Sequence, residues 1–440
     1  FKGSHINIAG CSGLAAKTSY ALFLIVSLLS HAEKTGNSVG VIAFNVKEKD
    51  LLRVDKFQWD SIREACKHFR EQNQHKAAEL WSGAAEENVD PCAILKGERL
   101  VKFAVGDYSF GLQDIVDAGN GDPTIMRMMF DPHDIDDKFD ALLYGIFEEM
   151  RVGSTTTDSG CRSALRRVQR SRGGMRTDST IAHCSSSSSW SFSQLEEFLR
   201  SRLSNRGASS GSRQTQRDVY VGGVPSHSAT VTKFLRRLKV ATEHMSAAIE
   251  LEDPRGKPPT VHDLRPGKLF IIDIESLPDR GKRLVFMYVL RTVARILESK
   301  REGKTYVNVV GGSRIETSNF PDKVVIFVDE LNKFVPRGGA YSSLKAPIVD
   351  IAARGRSLGL CLLGAEQMAS QIDEEVLTNC STFAVGRLHP VELSSRSYEW
   401  VKGNLRERAT VLRPGQVLFY HAVHNAPVLL EFPIPLHLVE

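Results

Sequence analysis

The fold is decided by the opening stretch, His5-Ile-Asn-Ile-Ala9-Gly10-Cys-Ser-Gly13-Leu-Ala-Ala16-Lys17-Thr18-Ser19. Residues 5–9 are short, apolar and β-prone, which predicts a strand, and residues 10–16 are small, which predicts a turn. Lys17–His31 is apolar on nearly every side, as expected of a helix buried against a sheet. Gly36-Asn37 then leads into Val39–Phe44, a second strand. This is the first unit of a doubly wound α/β fold.

The turn before Lys17 has the chemistry of a phosphate-binding loop. Such a loop needs small residues that let backbone N–H groups surround phosphates, a lysine for the outer phosphates and a hydroxyl for Mg²⁺. Lys17 and Thr18 meet these needs, although the glycine positions counted back from Lys17 hold Ala16 and Cys11. The alternative is an ordinary strand–turn–helix corner with a solvated lysine. The candidate nucleotide-binding residues of this stretch are Gly10, Ser12, Gly13, Ala16, Lys17, Thr18 and Ser19.

Two acids end an apolar strand at Val324–Val328. Asp329 is a candidate to bind nucleotide-associated Mg²⁺ together with Thr18, and Glu330 to polarise a water that attacks the γ-phosphate. The alternative is a helix or turn that merely begins with acids, because acids favour a helix N-terminus.

A third candidate group follows the strand at Leu360–Gly364 and the helix before it. Gln367 lies just past the strand, where its amide is placed to sense a γ-phosphate. Arg354 and Arg356 are candidates to reach the nucleotide of a neighbouring subunit. The alternative is that both arginines make local ion pairs and Gln367 caps a turn.

Composition restricts the class of protein. Segment 151–217 contains twelve Arg, no Lys and four acids, so the net charge of +5 over 440 residues comes from this stretch and is weak evidence for nucleic-acid binding. The seven cysteines are scattered and form no CxxC, which argues against a zinc site or a disulfide framework and favours a reducing cytosol. The longest apolar run, Tyr20–Leu29, is about half of a membrane span, so we expect no membrane association and a cytoplasmic protein.

The predicted organisation is an α/β ATPase core at 1–55 and 260–440, a mainly helical insertion at 56–150 and 218–259, and a flexible Ser/Arg-rich segment at 151–217. Asp107–Pro132 is predicted to be a loop. The further strands predicted are Leu269–Ile274, Val324–Val328, Leu360–Gly364, Thr382–Gly386, Val417–Tyr420 and Pro427–Phe432. The helices predicted are Ser61–Trp81, Asp137–Met150, Trp190–Leu203, Thr230–Glu250, Arg280–Ser299, Ala346–Leu358 and Glu374–Asn379.

In order and spacing, these motifs resemble the HerA branch of the HerA/FtsK ATPases. The resemblance rests on residues 5–20, Leu269–Leu277, Val324–Val335 and Ala352–Leu388, the last with Ala-Ala-Arg-Gly-Arg-Ser-Leu-Gly-Leu and Ala-Glu-Gln. It implies a RecA-like P-loop core that hexamerises around duplex DNA and translocates on it using ATP and Mg²⁺. By the same likeness Arg354 or Arg356 would act in trans on a neighbour's ATP, with Arg387 a weaker candidate. A nuclease or an anti-phage effector is the expected partner, and a family β-barrel would lie upstream of Phe1.

Three departures from the family pattern bear on hydrolysis more than on nucleotide binding. Ala16 replaces a glycine, Asn45 stands where an acid is usual, and residues 331–333 replace a small-residue–histidine pair. They keep a second hypothesis open, a nucleotide-binding hexameric scaffold with weak turnover that organises an effector. A third is a secretion or conjugation ATPase. DNA contacts are expected from the loops Pro336–Leu344 and Lys300–Arg314, with plain solvated loops as the alternative.

Overall fold

The computed structural model describes residues 5–11, 17–47, 51–55, 97–154, 189–204, 218–307, 314–338, 342–424 and 426–432. Two compact units divide the chain. The first comprises Phe1–Val105, Pro259–Val307 and Arg314–Glu440, and the second comprises Gly106–Pro258 and Asn308–Ser313.

The strands are β1 (His5–Ala9), β2 (Val39–Asn45), β3 (Leu100–Phe103), β4 (Asp218–Val221), β5 (Val224–His227), β6 (Leu269–Asp273), β7 (Tyr306–Val307), β8 (Arg314–Ile315), β9 (Lys323–Asp329), β10 (Leu360–Glu366), β11 (Cys380–Val385), β12 (Gln416–His421) and β13 (Val428–Glu431). The α-helices are α1 (Lys17–Thr35), α2 (Leu112–Gly119), α3 (Thr124–Arg127), α4 (Asp137–Ser154), α5 (Phe192–Ser204), α6 (Ser228–His244), α7 (Asp279–Arg301), α8 (Ser342–Leu358), α9 (Glu374–Thr378), α10 (Pro390–Leu393) and α11 (Asn404–Thr410).

A nine-stranded sheet forms the first unit, in the order β13-β12-β11-β1-β10-β9-β2-β6-β3. All pairings from β11 to β3 are parallel, whereas β12 pairs antiparallel with both β11 and β13. The short link between β12 and β13 explains the last antiparallel pair, since parallel neighbours need a long crossover connection. The doubly wound, mostly parallel α/β core that the sequence predicts is therefore confirmed.

Both faces of this sheet are covered by helices. On one face, Ile8, Ala43 and Phe327 belong to the core that includes Tyr20 and Ile25 of α1. On the other face, Phe44 packs edge-on against Phe286 of α7, with ring centroids 5.2 Å apart. This alternation along each strand is what a sheet buried on both sides requires.

The second unit is mainly helical within its described residues, with one hairpin formed by β4 and β5. Its core includes a cluster of three aromatic side chains, Phe130, Phe139 and Phe234, whose centroids are 5.0–5.6 Å apart. The two ends of its main segment, Gly106–Pro258, are joined at Asp114, whose carboxylate accepts hydrogen bonds from the amides of Gly111 and Gly256.

Two sequence-based expectations about this region change. Asp107–Pro132 is not a loop, because it contains α2 and α3. Its turn-forming residues act as helix ends. Gly111 and Pro123 precede α2 and α3, and Asn120 terminates α2 in the left-handed conformation. The edge strand β3, which lies in the segment assigned to the insertion, joins the main sheet beside β6. The helix predicted at Ser61–Trp81 lies outside the described residues.

None of the helices in the described ranges has the length and apolar character needed to span a bilayer.

Candidate functional site

The carboxyl ends of three adjacent parallel strands meet at one edge of the sheet. In the strand register, Ala9 of β1 pairs with Glu366 of β10, and Ala365 of β10 pairs with Asp329 of β9. Gly10 and Cys11 after β1 and the residues after β9 and β10 therefore emerge side by side. In open α/β sheets this edge is where ligands bind.

Lys17 and Glu330 are brought into contact although 313 positions separate them in sequence. The Lys17 Nζ lies 3.3 Å from Glu330 Oε1, and the two side chains are only 9% and 10% exposed. A buried ion pair of this kind is held by mutual attraction against a large desolvation cost, so each charge depends on the other until a ligand replaces it. The site thus contains a buried ammonium group whose charge is balanced by a neighbouring carboxylate.

Glu330 reaches this position through an unusual backbone. Its φ is 59°, a left-handed conformation found at only one other non-glycine residue of the described chain, Asn120. Such a conformation costs about 1–3 kcal/mol for a non-glycine residue and is concentrated at functional sites. Two hydrogen bonds of the Glu330 amide, to Ala365 O at 2.7 Å and to Asp329 Oδ1 at 3.1 Å, hold it there.

Thr18 and Asp329 form a second pair. The Thr18 hydroxyl donates to Asp329 Oδ2 over 3.3 Å. A hydroxyl and a carboxylate are the hard oxygen ligands that Mg²⁺ prefers, and Mg²⁺ commonly takes one or two protein ligands with the rest from phosphates and water. Burial raises the pKa of Asp329, with the charge of Glu330 adding to the effect and the Lys17 ammonium opposing it. A cation bound by Thr18 and Asp329 would stabilise the charged form of the Asp329 carboxylate, so the residues fit Mg²⁺.

Gln367 completes the convergence. Its Nε2 donates to Glu330 Oε1 over 3.3 Å, so a single carboxylate oxygen accepts from both Lys17 and Gln367. The Gln367 amide and the Lys17 ammonium therefore share one hydrogen-bond acceptor.

Glu366 was not singled out from the sequence, yet it lies at the same edge. Its side chain is fully buried, Oε1 accepts a hydrogen bond from Asn7 Nδ2, and Oε2 has no partner among the described residues. Burial raises the pKa of Glu366 well above its usual range; the Asn7 hydrogen bond and the Lys17 charge oppose this, and the charges of Glu330 and Asp329 add to it. The sequence does contain a signal for this pair. Asn7 and Glu366 are polar residues in strands that are otherwise mostly apolar, and a polar side chain in a buried strand needs a hydrogen-bonding partner.

The start of the turn is hydrogen-bonded to the end of β10 and to the segment that follows β11. The Gly10 amide donates to Glu366 O over 3.1 Å, and the Cys11 amide donates to Arg387 O over 2.8 Å. Ser19 is buried in the first turn of α1. The remaining predicted loop residues, Ser12, Gly13 and Ala16, lie outside the described residues.

The two candidate trans-acting arginines are on the exposed surface of α8. Arg354 makes ion pairs with Asp350 and Glu298 of its own chain, with N···O distances of 2.5 and 2.8 Å. Arg387 is also exposed and donates from Nε to Thr410 O over 3.1 Å. The structure therefore does not bring Arg354 to the Lys17–Glu330 pair, and Arg356 has an exposed side chain on the same helix.

The basic residues expected to contact DNA are largely paired with acids of the same chain. Lys300 lies 2.6 Å from Asp322, and Lys304 lies 2.7 Å from Glu302. Arg337 and Lys345 form ion pairs with Glu374 and Asp373. Residues 308–313 and 339–341 of these loops lie outside the described ranges.

Asn45, the residue in place of the family's usual acid, has a carboxylate beside it. Its Nδ2 donates to Oδ1 of Asp273, the last residue of the neighbouring strand β6, over 2.8 Å. The negative charge at this edge is thus carried by the next strand.

The comparisons with known proteins identify the fold. No protein-family model matches the chain, and no curated protein matches it. Among solved structures it is similar to VirB4 of Thermoanaerobacter pseudethanolicus, with a TM-score of 0.51 and 14% identity over 98% of this chain and 88% of that one. A weaker similarity is found to the plasmid coupling protein TrwB in complex with ADP and Mg²⁺, with a TM-score of 0.47 and 11% identity over 98% of this chain and 85% of that one. The VirB4 likeness bears out the predicted α/β fold with a mostly parallel sheet.

Proposed function

We propose that this chain is a P-loop ATPase of the HerA-like translocase type. The observation that carries the proposal is that Lys17 and Gln367 both donate to one carboxylate oxygen of Glu330, at the carboxyl edge of the sheet. A phosphate-binding amine, a candidate general base and a sensing amide are the groups that hydrolysis of a nucleoside triphosphate needs in one place.

Each residue has a distinct task in this mechanism. Lys17 leaves Glu330 to bind the outer phosphates, and the backbone amides at the start of α1 bind the remaining oxygens. The freed Glu330 carboxylate then orients the attacking water and accepts its proton. Thr18 and Asp329 would hold Mg²⁺, which supplies charge neutralisation at the phosphates when bound. Gln367 exchanges its hydrogen bond to Glu330 for one to the γ-phosphate.

The wider proposal is that the subunit assembles as a homo-hexamer that moves on duplex DNA in the cytoplasm, with a nuclease or anti-phage effector as partner. This part rests on the order and spacing of the motifs at 5–20, 324–335 and 352–388. In such a ring Arg354 or Arg356 would reach the neighbour's nucleotide. The organisation into a core at 1–55 and 260–440, with an inserted 56–259, belongs to the same proposal.

A steady-state ATPase assay with and without duplex DNA tests the function. Removing the general base in Glu330→Gln should lower kcat by about 100-fold or more while ATP still binds. Lys17→Ala should lose ATP binding, because the phosphates lose their cationic partner. As a matched control, Lys34→Ala removes an exposed lysine from the other end of α1 and should leave both quantities unchanged. Full turnover in Glu330→Gln would contradict the assignment.

The second candidate function is a nucleotide-binding scaffold with weak turnover. Ala16 before the lysine favours it, since a methyl group crowds the approach of backbone to phosphate. Tight ATP binding without turnover in the unmodified chain, with effector assembly intact in Glu330→Gln, would support the scaffold over the motor.

A further inference from the structure

The proposed mechanism assigns no task to Glu366, although this residue lies at the same edge of the sheet as Lys17 and Glu330. It ends β10, the strand between β1 and β9, and it is followed directly by Gln367. Its backbone carbonyl accepts the amide of Gly10, the first residue of the predicted phosphate-binding turn. Glu366 thus joins the strand that leads into that turn to the residue predicted to sense the γ-phosphate.

The side chain repeats this connection. Asn7 and Glu366 lie on the same face of the sheet, because Ala9 pairs with Glu366 and Asn7 is two residues earlier on β1. The Asn7 amide donates to Glu366 Oε1, so β1 and β10 are joined by a side-chain hydrogen bond in addition to their ladder. Neither side chain is more than 3% exposed, so water does not compete for this bond.

The buried carboxyl group of Glu366 carries an energetic cost for the fold. A fully buried carboxyl group whose Oε2 lacks a partner among the described residues destabilises the fold compared with an apolar side chain of similar size. The neighbouring positions Leu362 and Gly364 on the same face are apolar or small, so the strand does not need a polar residue for packing. The cost falls at the edge where Lys17, Glu330 and Gln367 meet.

We propose that Glu366 is a positioning residue of the nucleotide site. Its hydrogen bond to Asn7 fixes the end of β10. This in turn places Gln367 and the start of the phosphate-binding turn correctly relative to Glu330. This inference rests on the proposed ATPase function. Glu366 acts through its neighbours and takes no proton from the attacking water, which is the task of Glu330.

We therefore expect Glu366 and Glu330 to respond differently to replacement by glutamine. Glu366→Gln keeps a carbonyl oxygen for the Asn7 amide, and we expect kcat to stay within about threefold of the wild type, whereas Glu330→Gln should lower kcat by about 100-fold or more. Glu366→Leu keeps the volume but leaves the Asn7 amide without an acceptor. We expect it to lower kcat by about 10- to 100-fold with little change in the KM for ATP, because a misplaced sensor affects the reacting geometry more than binding.

A matched control separates positioning from stability. Leu362→Ala lies on the same strand and the same face, is also buried, and opens a cavity away from the site. It should lower the melting temperature at least as much as Glu366→Leu while leaving kcat unchanged. An unchanged kcat in Glu366→Leu, or an equal loss of kcat in folded Glu366→Gln and Glu366→Leu, would overturn the proposal.

Hydrogen–deuterium exchange of the full chain gives a readout that does not need turnover. Peptides that contain residues 6–11 and 363–368 should exchange faster in Glu366→Leu than in the wild type, and Glu366→Gln should resemble the wild type. Equal exchange in all three proteins would refute the positioning role. If the wild type does not hydrolyse ATP while this exchange pattern is found, the ATPase proposal fails and the positioning role stands.

Discussion

The backbone of Glu330 is held in a conformation that few non-glycine residues adopt. Glu330 has φ 59°, whereas the other non-glycine residue with positive φ in the described chain is Asn120, a residue type that tolerates it. At Glu330 the strained backbone turns the chain directly after β9, which aims the carboxylate at Lys17. The turn depends on the φ angle of Glu330, and the position of its carboxylate depends on the buried contact with Lys17. The Asp-Glu sequence alone predicts neither of these.

His5 is a second residue whose chemistry is fixed by its surroundings. Its Nδ1 accepts the Leu362 amide over 2.8 Å and its Nε2 lies 2.5 Å from Ala352 O, so both ring nitrogens are used only in the neutral Nε2–H form. Burial lowers the pKa of His5 below the usual 6.5, and the hydrogen bond to Ala352 opposes this.

We predict that the stability of the protein falls in acid partly because of His5. The folded pKa lies below the unfolded value, so the unfolded chain binds more protons between the two. The stability contribution is therefore complete above pH 6.5 and is lost as the pH falls from 6.5 towards the folded pKa. Denaturant unfolding at several pH values should show a smaller pH dependence for His5→Gln than for the wild type.

His262 serves as the comparison, since burial also lowers its pKa. His262→Gln should remove a separate part of the pH dependence, and the two effects should add. A His5→Gln protein with the full wild-type pH dependence would contradict the neutral assignment.

At the scale of elements, helix α8 and strand β1 approach closely at a glycine. A Cβ on Gly355 would lie 2.7 Å from His5 Cε1 and 2.8 Å from Leu360 O. The second atom belongs to the backbone of β10 and cannot move aside easily. The helix that carries Arg354 and Arg356 is therefore seated on the sheet next to the strand that leads into the site.

We expect Gly355→Ala to destabilise the protein although alanine favours a helix. The gain in helix propensity is about 1 kcal/mol, and overpacking costs about 1–3 kcal/mol. A backbone atom in the clash places the cost at the upper end, so the free energy of unfolding should fall by about 1–2 kcal/mol. Ser357→Ala adds an alanine at an exposed position of the same helix and should change the value by less than about 0.5 kcal/mol. A Gly355→Ala protein as stable as Ser357→Ala would show that the close approach is wrong.

The whole molecule places three distant parts of the sequence at one edge. Residues 5–11 and 17–18 come together with 329–330 and 366–367 because β10 lies between β1 and β9 in the sheet. In the proposed ring, a neighbouring subunit would supply an arginine to this edge.

Mixed assemblies test the trans-acting arginines. Arg354 is 46% exposed and its ion pairs with Glu298 and Asp350 lie on the surface, where such pairs contribute about 0–1 kcal/mol, so the side chain can leave them. Assemblies that contain a fraction of Arg354→Ala or Arg356→Ala subunits should lose ATPase activity out of proportion to that fraction. Strictly proportional loss for both variants would contradict action in trans.

Imaging by negative-stain electron microscopy with ATP and Mg²⁺ provides the control for this experiment. Wild-type and variant chains should form the same six-fold rings, so that a loss of activity reflects chemistry and not assembly. Particles without six-fold symmetry under every nucleotide condition would contradict the hexamer itself.

The sequence alone determined the alternation of buried strands and helices, because apolar periodicity and turn residues act locally. It predicted the bounds of β1 and, to within a few residues, of β9 and β10, and it identified Lys17, Asp329, Glu330 and Gln367 as candidates. It missed the short edge strand β3 and the helices in Asp107–Pro132, where packing outweighs local composition. Only the tertiary structure decided that Asn7 and Glu366 form a buried pair and that Glu330 adopts a left-handed backbone, because strand order and burial are set by contacts between residues hundreds of positions apart.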